Sequence, residues 1–97
     1  MRTVHWNKIA RLDYYNNIDY MLHDWLEKEA QEFIDAVDET EFLLKQGNVE
    51  LQNTDMPGIK RCVICKQITL FYRIIDERNI EFLRFWNNNQ DNKKLSL

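Results

Sequence analysis

Glycine and proline are nearly missing from this chain of 97 residues, with two glycines, Gly47 and Gly58, and one proline, Pro57. With so few residues suited to sharp turns, long loops are not expected outside the stretch that holds Pro57. A glycine-rich phosphate loop is excluded for the same reason. No apolar run approaches the roughly 20 residues that span a bilayer. The opening Met1-Arg2-Thr3-Val4-His5-Trp6 lacks the apolar core of a signal peptide, so the expected compartment is the cytoplasm.

Cysteine is as scarce, and the two present form a Cys62-Val63-Ile64-Cys65 pair. A redox pair needs its first thiol at a helix N-terminus, and this segment is β-branched and apolar. A zinc site needs four ligands, and only His5 and His23 could complete one. Strand alternation sends the two thiols to opposite faces. They read as small buried hydrophobes, so neither a metal nor a cofactor is expected. His5 and His23 read as structural or solvated. No Ser-His-Asp or Cys-His arrangement is legible, and the carboxylates of the helical region sit at the spacing of a solvated face.

What the chain does have is enough apolar residue, 44% with 12% aromatic, to fold as one domain over 1–97 around one core. Charge is unevenly placed. Residues 1–58 hold five Lys/Arg against twelve Asp/Glu, and residues 59–97 hold eight against four. The first part is therefore acidic, and the second could face an anion, RNA or an acidic protein.

The pattern predicts a short strand over 3–6 and a helix capped by Asn7. Ala10, Tyr14, Ile18, Met21 and Trp25 lie on one stripe of that helix. A break at His23-Asp24 leads to a second helix, with Leu26, Ala30, Phe33, Ile34, Val37 and Leu44 on one side. Gln46-Gly47-Asn48 ends it. A polar loop covers 48–59, and strands follow over 60–65, 68–75 and 80–86, joined at Lys66-Gln67 and at Asp76–Asn79. The fold class is α+β: an N-terminal strand and an antiparallel two-helix hairpin packed on a twisted, mainly antiparallel sheet. The partner of the first strand cannot be fixed by pattern. Nothing demands a dimer, and the hairpin is the surface on which one would form.

Alternation puts Thr69, Phe71, Arg73 and Ile75 on one face and Ile68, Leu70, Tyr72 and Ile74 on the other. It likewise sets Glu81, Leu83 and Phe85 opposite Ile80, Phe82, Arg84 and Trp86. Arg61, Arg73 and Arg84 lie on different strands. Converged, they would make a patch for phosphate or carboxylate; otherwise they pair with Glu81, Asp76 and the acidic helices.

At this point the chain resembles the RelE/ParE superfamily of toxins from bacterial type II toxin–antitoxin modules, and within it the plasmid-stabilisation proteins. The parts that carry the likeness are Trp6-x-x-x-Ala10, the Ala30/Phe33/Val37 stripe and Pro57-Gly58-Ile59-Lys60-Arg61. Leu70-Phe71-Tyr72-Arg73-Ile74 and Phe85-Trp86-Asn87-Asn88, with Gln90 and Lys93-Lys94-Leu95, complete it. The resemblance implies a toxin held inactive by a cognate antitoxin. It implies either a RelE-like ribosome-dependent endoribonuclease that cuts mRNA without metal, or a ParE-like poison of DNA gyrase. The strand arginine of the nucleases falls at Thr69, and their second arginine falls at Asn89; Asn92 also departs from the relatives' proline. The catalytic candidates left are Arg61, Arg73, Arg84 and, as proton donor, Tyr72, with no assigned base. The surface for antitoxin or target is Lys60, Arg61, Phe71, Arg73, Arg84 and Trp86. The missing arginines favour action by protein binding, with a degenerate, non-toxic member as a further alternative.

Overall fold

The structure, a computed structural model, describes residues 1–24, 27–47, 52–54, 56–90, 94, 95 and 97. Trp25, Leu26, Asn48, Asn92 and Lys93 lie outside the described residues. The element order is β1 (Thr3–Trp6), α1 (Lys8–Asp24), α2 (Glu27–Gln46), β2 (Gln52–Asn53), β3 (Ile59–Cys65), β4 (Ile68–Asp76) and β5 (Asn79–Asn87). The strands form one sheet in the order β1-β5-β4-β3-β2. Its pairs are antiparallel except β1 with β5, which run parallel with Val4 opposite Ile80 and Trp6 opposite Phe82. The expected α+β fold is therefore present. No helix among the described residues is long and apolar enough to cross a membrane.

Local chemistry explains the helix ends. The Asn7 side chain accepts the Ala10 N–H at 2.7 Å and its carbonyl accepts the Arg11 N–H, so the predicted N-cap starts α1. Gly47 ends α2 at φ 74°, the left-handed region open to glycine, and donates its N–H to the Leu44 carbonyl. Both helices lay their apolar stripes on one sheet face. Ala10 and Met21 of α1 meet Ala30, Phe33, Val37 and Leu44 of α2 over Ile68, Leu70, Tyr72, Ile80, Phe82 and Phe85. Tyr14 and Ile18, half-buried, complete the α1 stripe against this core.

Three details depart from the sequence reading. The stretch expected as loop contains β2, whose Gln52 and Asn53 pair with Arg61 and Lys60. The pairing of β3 with β4 is irregular between Val63 and Cys65, so Ile64 has no register partner. The extra residue reverses the alternation, and Cys62, Ile64 and Cys65 all pack against the core. The two cysteines are thus free thiols on one face, not opposite faces. Burial pushes the Cys62 thiol up, against a lowering hydrogen bond with Thr40, which opposes thiolate formation. The third detail is a second irregularity, in β5. Phe71 pairs with Arg84 while Tyr72 pairs with Phe82, so Leu83 is the unpaired residue. Phe85 therefore turns to the core, and Arg84 and Trp86 turn outward. That corrects the expectation that Phe85 would share a face with Glu81, and Arg84 and Trp86 with Phe82.

Candidate functional site: the outer face of the sheet

With the helices on one side, the other side of the three central strands is a grid that the register fixes. Its rows are Val63–Thr69–Trp86, Arg61–Phe71–Arg84 and Ile59–Arg73–Glu81. Five of the six residues predicted to bind antitoxin or target share it: Arg61, Phe71, Arg73, Arg84 and Trp86. Lys60 does not, because it is the register partner of core-facing Tyr72. Tyr72 is 2% exposed on the helix side, and burial, as the main cause, pushes its phenol up to about 12. The proton-donor candidate is thus on the opposite face from the three arginines. Val63, 67% exposed, and Ile59 belong to the grid and escaped the sequence reading. Pairing β3 to β4 with Cys62 opposite Leu70 would have found them.

The grid is apolar at its centre and charged around it. Phe71 is 9% and Trp86 3% exposed, although α1 and α2 both lie on the other side. Phe71 sits in register between Arg61 and Arg84, and the Arg84 guanidinium lies 5.1 Å from the Trp86 ring centre. Cation and ring attract through the ring quadrupole. The Trp86 indole N–H has no partner among the described residues.

Arg84 and Arg73 are tied to carboxylates. Arg84 donates to both oxygens of Asp13, at 2.6 and 3.1 Å, and the two side chains are only 17% and 16% exposed. Asp13 also accepts the Phe85 N–H at 3.1 Å, and Asn17 donates to the Phe85 carbonyl at 3.1 Å. These contacts have a geometric cause. β1 covers β5 only from Asn79 to Phe82, so beyond Phe82 the edge of β5 is bare and side chains of α1 take the place of a neighbouring strand. Arg73 bonds Glu81 at 2.7 Å across the β4–β5 pair, in a more exposed setting. Arg61 is exposed on β3.

The positions where the resemblance implies nuclease arginines meet at one end of the grid. Thr69, buried, donates its hydroxyl to the Asn88 side-chain oxygen at 3.0 Å, and the exposed Asn89 donates its N–H to the Asn87 side chain. Neither brings a charge. Of the histidines, His5 lies 2.8 Å from the Asn79 side-chain oxygen near the β4–β5 turn, away from this end, and His23 sits in the last turn of α1. No group of three or more His, Cys, Asp or Glu suited to a metal occurs among the described residues.

No protein-family model and no curated protein matches the chain. Solved structures do. A chain of the chromosomal ParDE TA system from P. aeruginosa matches at TM-score 0.73 and 17% identity, over 90% of this chain and 96% of that one. A copper-bound mutant toxin from Helicobacter pylori matches at 0.64 and 13% identity, over 90% and 94%. The YoeB dimer from Staphylococcus aureus matches at 0.62 and 13%, over 88% and 94%. At such identities the likeness is one of backbone architecture, extending over nearly the whole length on both sides. The chain shares the α+β fold of these structures.

Proposed function

We propose that this chain is the toxin of a type II toxin–antitoxin pair, that it works as one unit over 1–97, and that it acts by binding a protein target, DNA gyrase, without cutting RNA. A cognate antitoxin neutralises it by covering the outer sheet face. The observation that carries the reading is the state of the arginines around Phe71 and Trp86. Cleaving RNA without metal needs cations at the phosphate, a base for the 2′-hydroxyl and an acid for the leaving oxygen. Arg84 is held by Asp13 and Trp86, and Arg73 by Glu81. Thr69 is neutral and engaged with Asn88, and Tyr72 is buried on the other side. What remains on this face is the exposed Val63, with Ile59 partly exposed, among charged side chains, which suits a protein partner better than a scissile phosphate.

Induced expression in bacteria is the direct test. Growth should stop, and co-expression of the neighbouring antitoxin gene should restore it. Purified protein should inhibit gyrase supercoiling at micromolar concentration and leave message intact in a translating extract. Cleaved message with unaffected gyrase would replace this reading by the RelE-like nuclease. Normal growth would make the chain a degenerate, non-toxic member that only binds the antitoxin.

A further inference from the structure

On the helical side lies a cleft of about 310 Å3 lined by Trp6, Arg11, Tyr14, Tyr15 and Asp38. Three rings wall it nearly at right angles. Trp6 and Tyr14 are 5.0 Å apart at 89°, and Tyr14 and Tyr15 are 5.3 Å apart at 75°. The walls are fixed from behind. Trp6 packs on Phe82 and Phe85 and donates its indole N–H to Glu41 at 3.3 Å. Tyr14 packs on Phe33 and Phe85. Tyr15 stands on the open side, 58% exposed.

The cleft is polarised as well as aromatic. Asp38 lines it and Glu41 backs it. The Tyr14 phenol is raised first by burial and then by the negative charge of Asp38, which reports their field inside the cup. Arg11 faces the same space, yet no ion pair joins it to Asp38 among the described residues. Nor does it stack on these rings: the one cation–π contact among the described residues is Arg84 on Trp86. Mutually perpendicular aromatic faces beside an unpaired carboxylate are the chemistry that holds an organic cation. The surrounding residues 1–58 carry twelve Asp/Glu against five Lys/Arg, which complements a basic partner.

We infer that the Trp6–Tyr14–Tyr15 cup receives a single arginine or lysine side chain of a partner polypeptide, with its stem along the rings and its charge at Asp38. The inference does not depend on which target the outer face engages. It adds to the proposed toxin reading the kind of residue by which a partner grips the helical layer.

The test follows the Trp6 indole N–H by NMR in the full chain, with acetyl-arginine amide and acetyl-lysine amide as probes and neutral acetyl-citrulline amide as the control. Saturable shifts are expected with both cations and none with citrulline. Asp38→Asn should weaken binding about 3- to 10-fold, and Arg11→Gln, which removes the competing charge, should tighten it about 2- to 5-fold. Tyr15→Leu should also weaken it. All three replacements are on the surface, and circular dichroism checks that the fold is kept. Equal shifts with citrulline, no saturation with either cation, or Asp38→Asn and Arg11→Gln moving affinity in the same direction would overturn the inference. Growth arrest and gyrase inhibition do not require this cup, so they report on the proposed function separately.

Discussion

The two faces of the sheet are built from the same strands and face different physics. On the helix side, Ile68, Leu70, Tyr72, Ile80, Phe82 and Phe85 are joined to the helices in one cluster, and their identity answers to packing alone. On the outer side, Phe71 and Trp86 are buried although the helices lie on the other face, Arg84 stands over the Trp86 ring, and Arg84 and Arg73 each have a carboxylate partner. A core position tolerates only shape. The outer face mixes buried apolar side chains with arginines, two of which are held by carboxylates. On β5 the unpaired Leu83 interrupts plain alternation, so Phe82 and Phe85, three residues apart, both face the core while Arg84 and Trp86 face outward.

The register that separates the two faces gives the largest expected effect. Deleting Leu83 removes the irregularity and leaves Phe82, Arg84, Phe85 and Trp86 on their present faces, so the chain should still fold. Deleting Phe71, which has partners on both sides in Arg61 and Arg84, should drive Arg73 to the helix side and abolish the folded state. Near-UV circular dichroism and urea unfolding of the two deletions separate these outcomes.

Next in size is the tie between the outer face and α1. Asp13→Ala strands a largely buried guanidinium and orphans the Phe85 N–H, and should cost about 3 kcal/mol in urea unfolding. The exposed pair at the other end of the grid is the contrast. Arg73→Gln should cost no more than about 0.5 kcal/mol.

Between these lies a pH effect that belongs to the core face. The Tyr72 phenol is raised to about 12 in the folded chain from a usual 10.0. Above pH 10 the unfolded chain gives up this proton while the folded chain keeps it. Stability from this group is therefore complete below pH 10 and is lost as pH rises toward 12. Tyr72→Phe should lessen the alkaline loss by about 1–2 kcal/mol, read as a shift in denaturation midpoint between pH 9 and pH 12.

Much of this architecture was legible because its signals are local. Asn7 before the first stripe, Gly47 after the second, and the alternation of Ile68 to Arg73 each specify their own few residues. The first strand's partner was not legible: four residues with period two do not encode which edge they join. Leu83 was invisible for a related reason. Phe82-Leu83-Arg84-Phe85 contains no glycine or turn former, and only pairing with β4 and the packing of Phe85 select the extra residue. The same holds for Ile64, whose irregularity brought both cysteines to the core. At the site, alternation on β4 placed Phe71 and Arg73 together. It could not show that Arg84 is held by Asp13, 71 residues away. Nor could it set Lys60 apart from Arg61 until β3 had a register.

The central claim is that the outer face acts by contact and not by cleavage, and Val63 tests it most directly. It is the most exposed apolar residue of the grid, at 67%. Val63→Glu should leave the fold intact, judged by circular dichroism, and should remove inhibition of gyrase supercoiling seen with the native chain. Inhibition by the folded variant equal to that of the native chain, or message cleavage by either protein, would contradict the account.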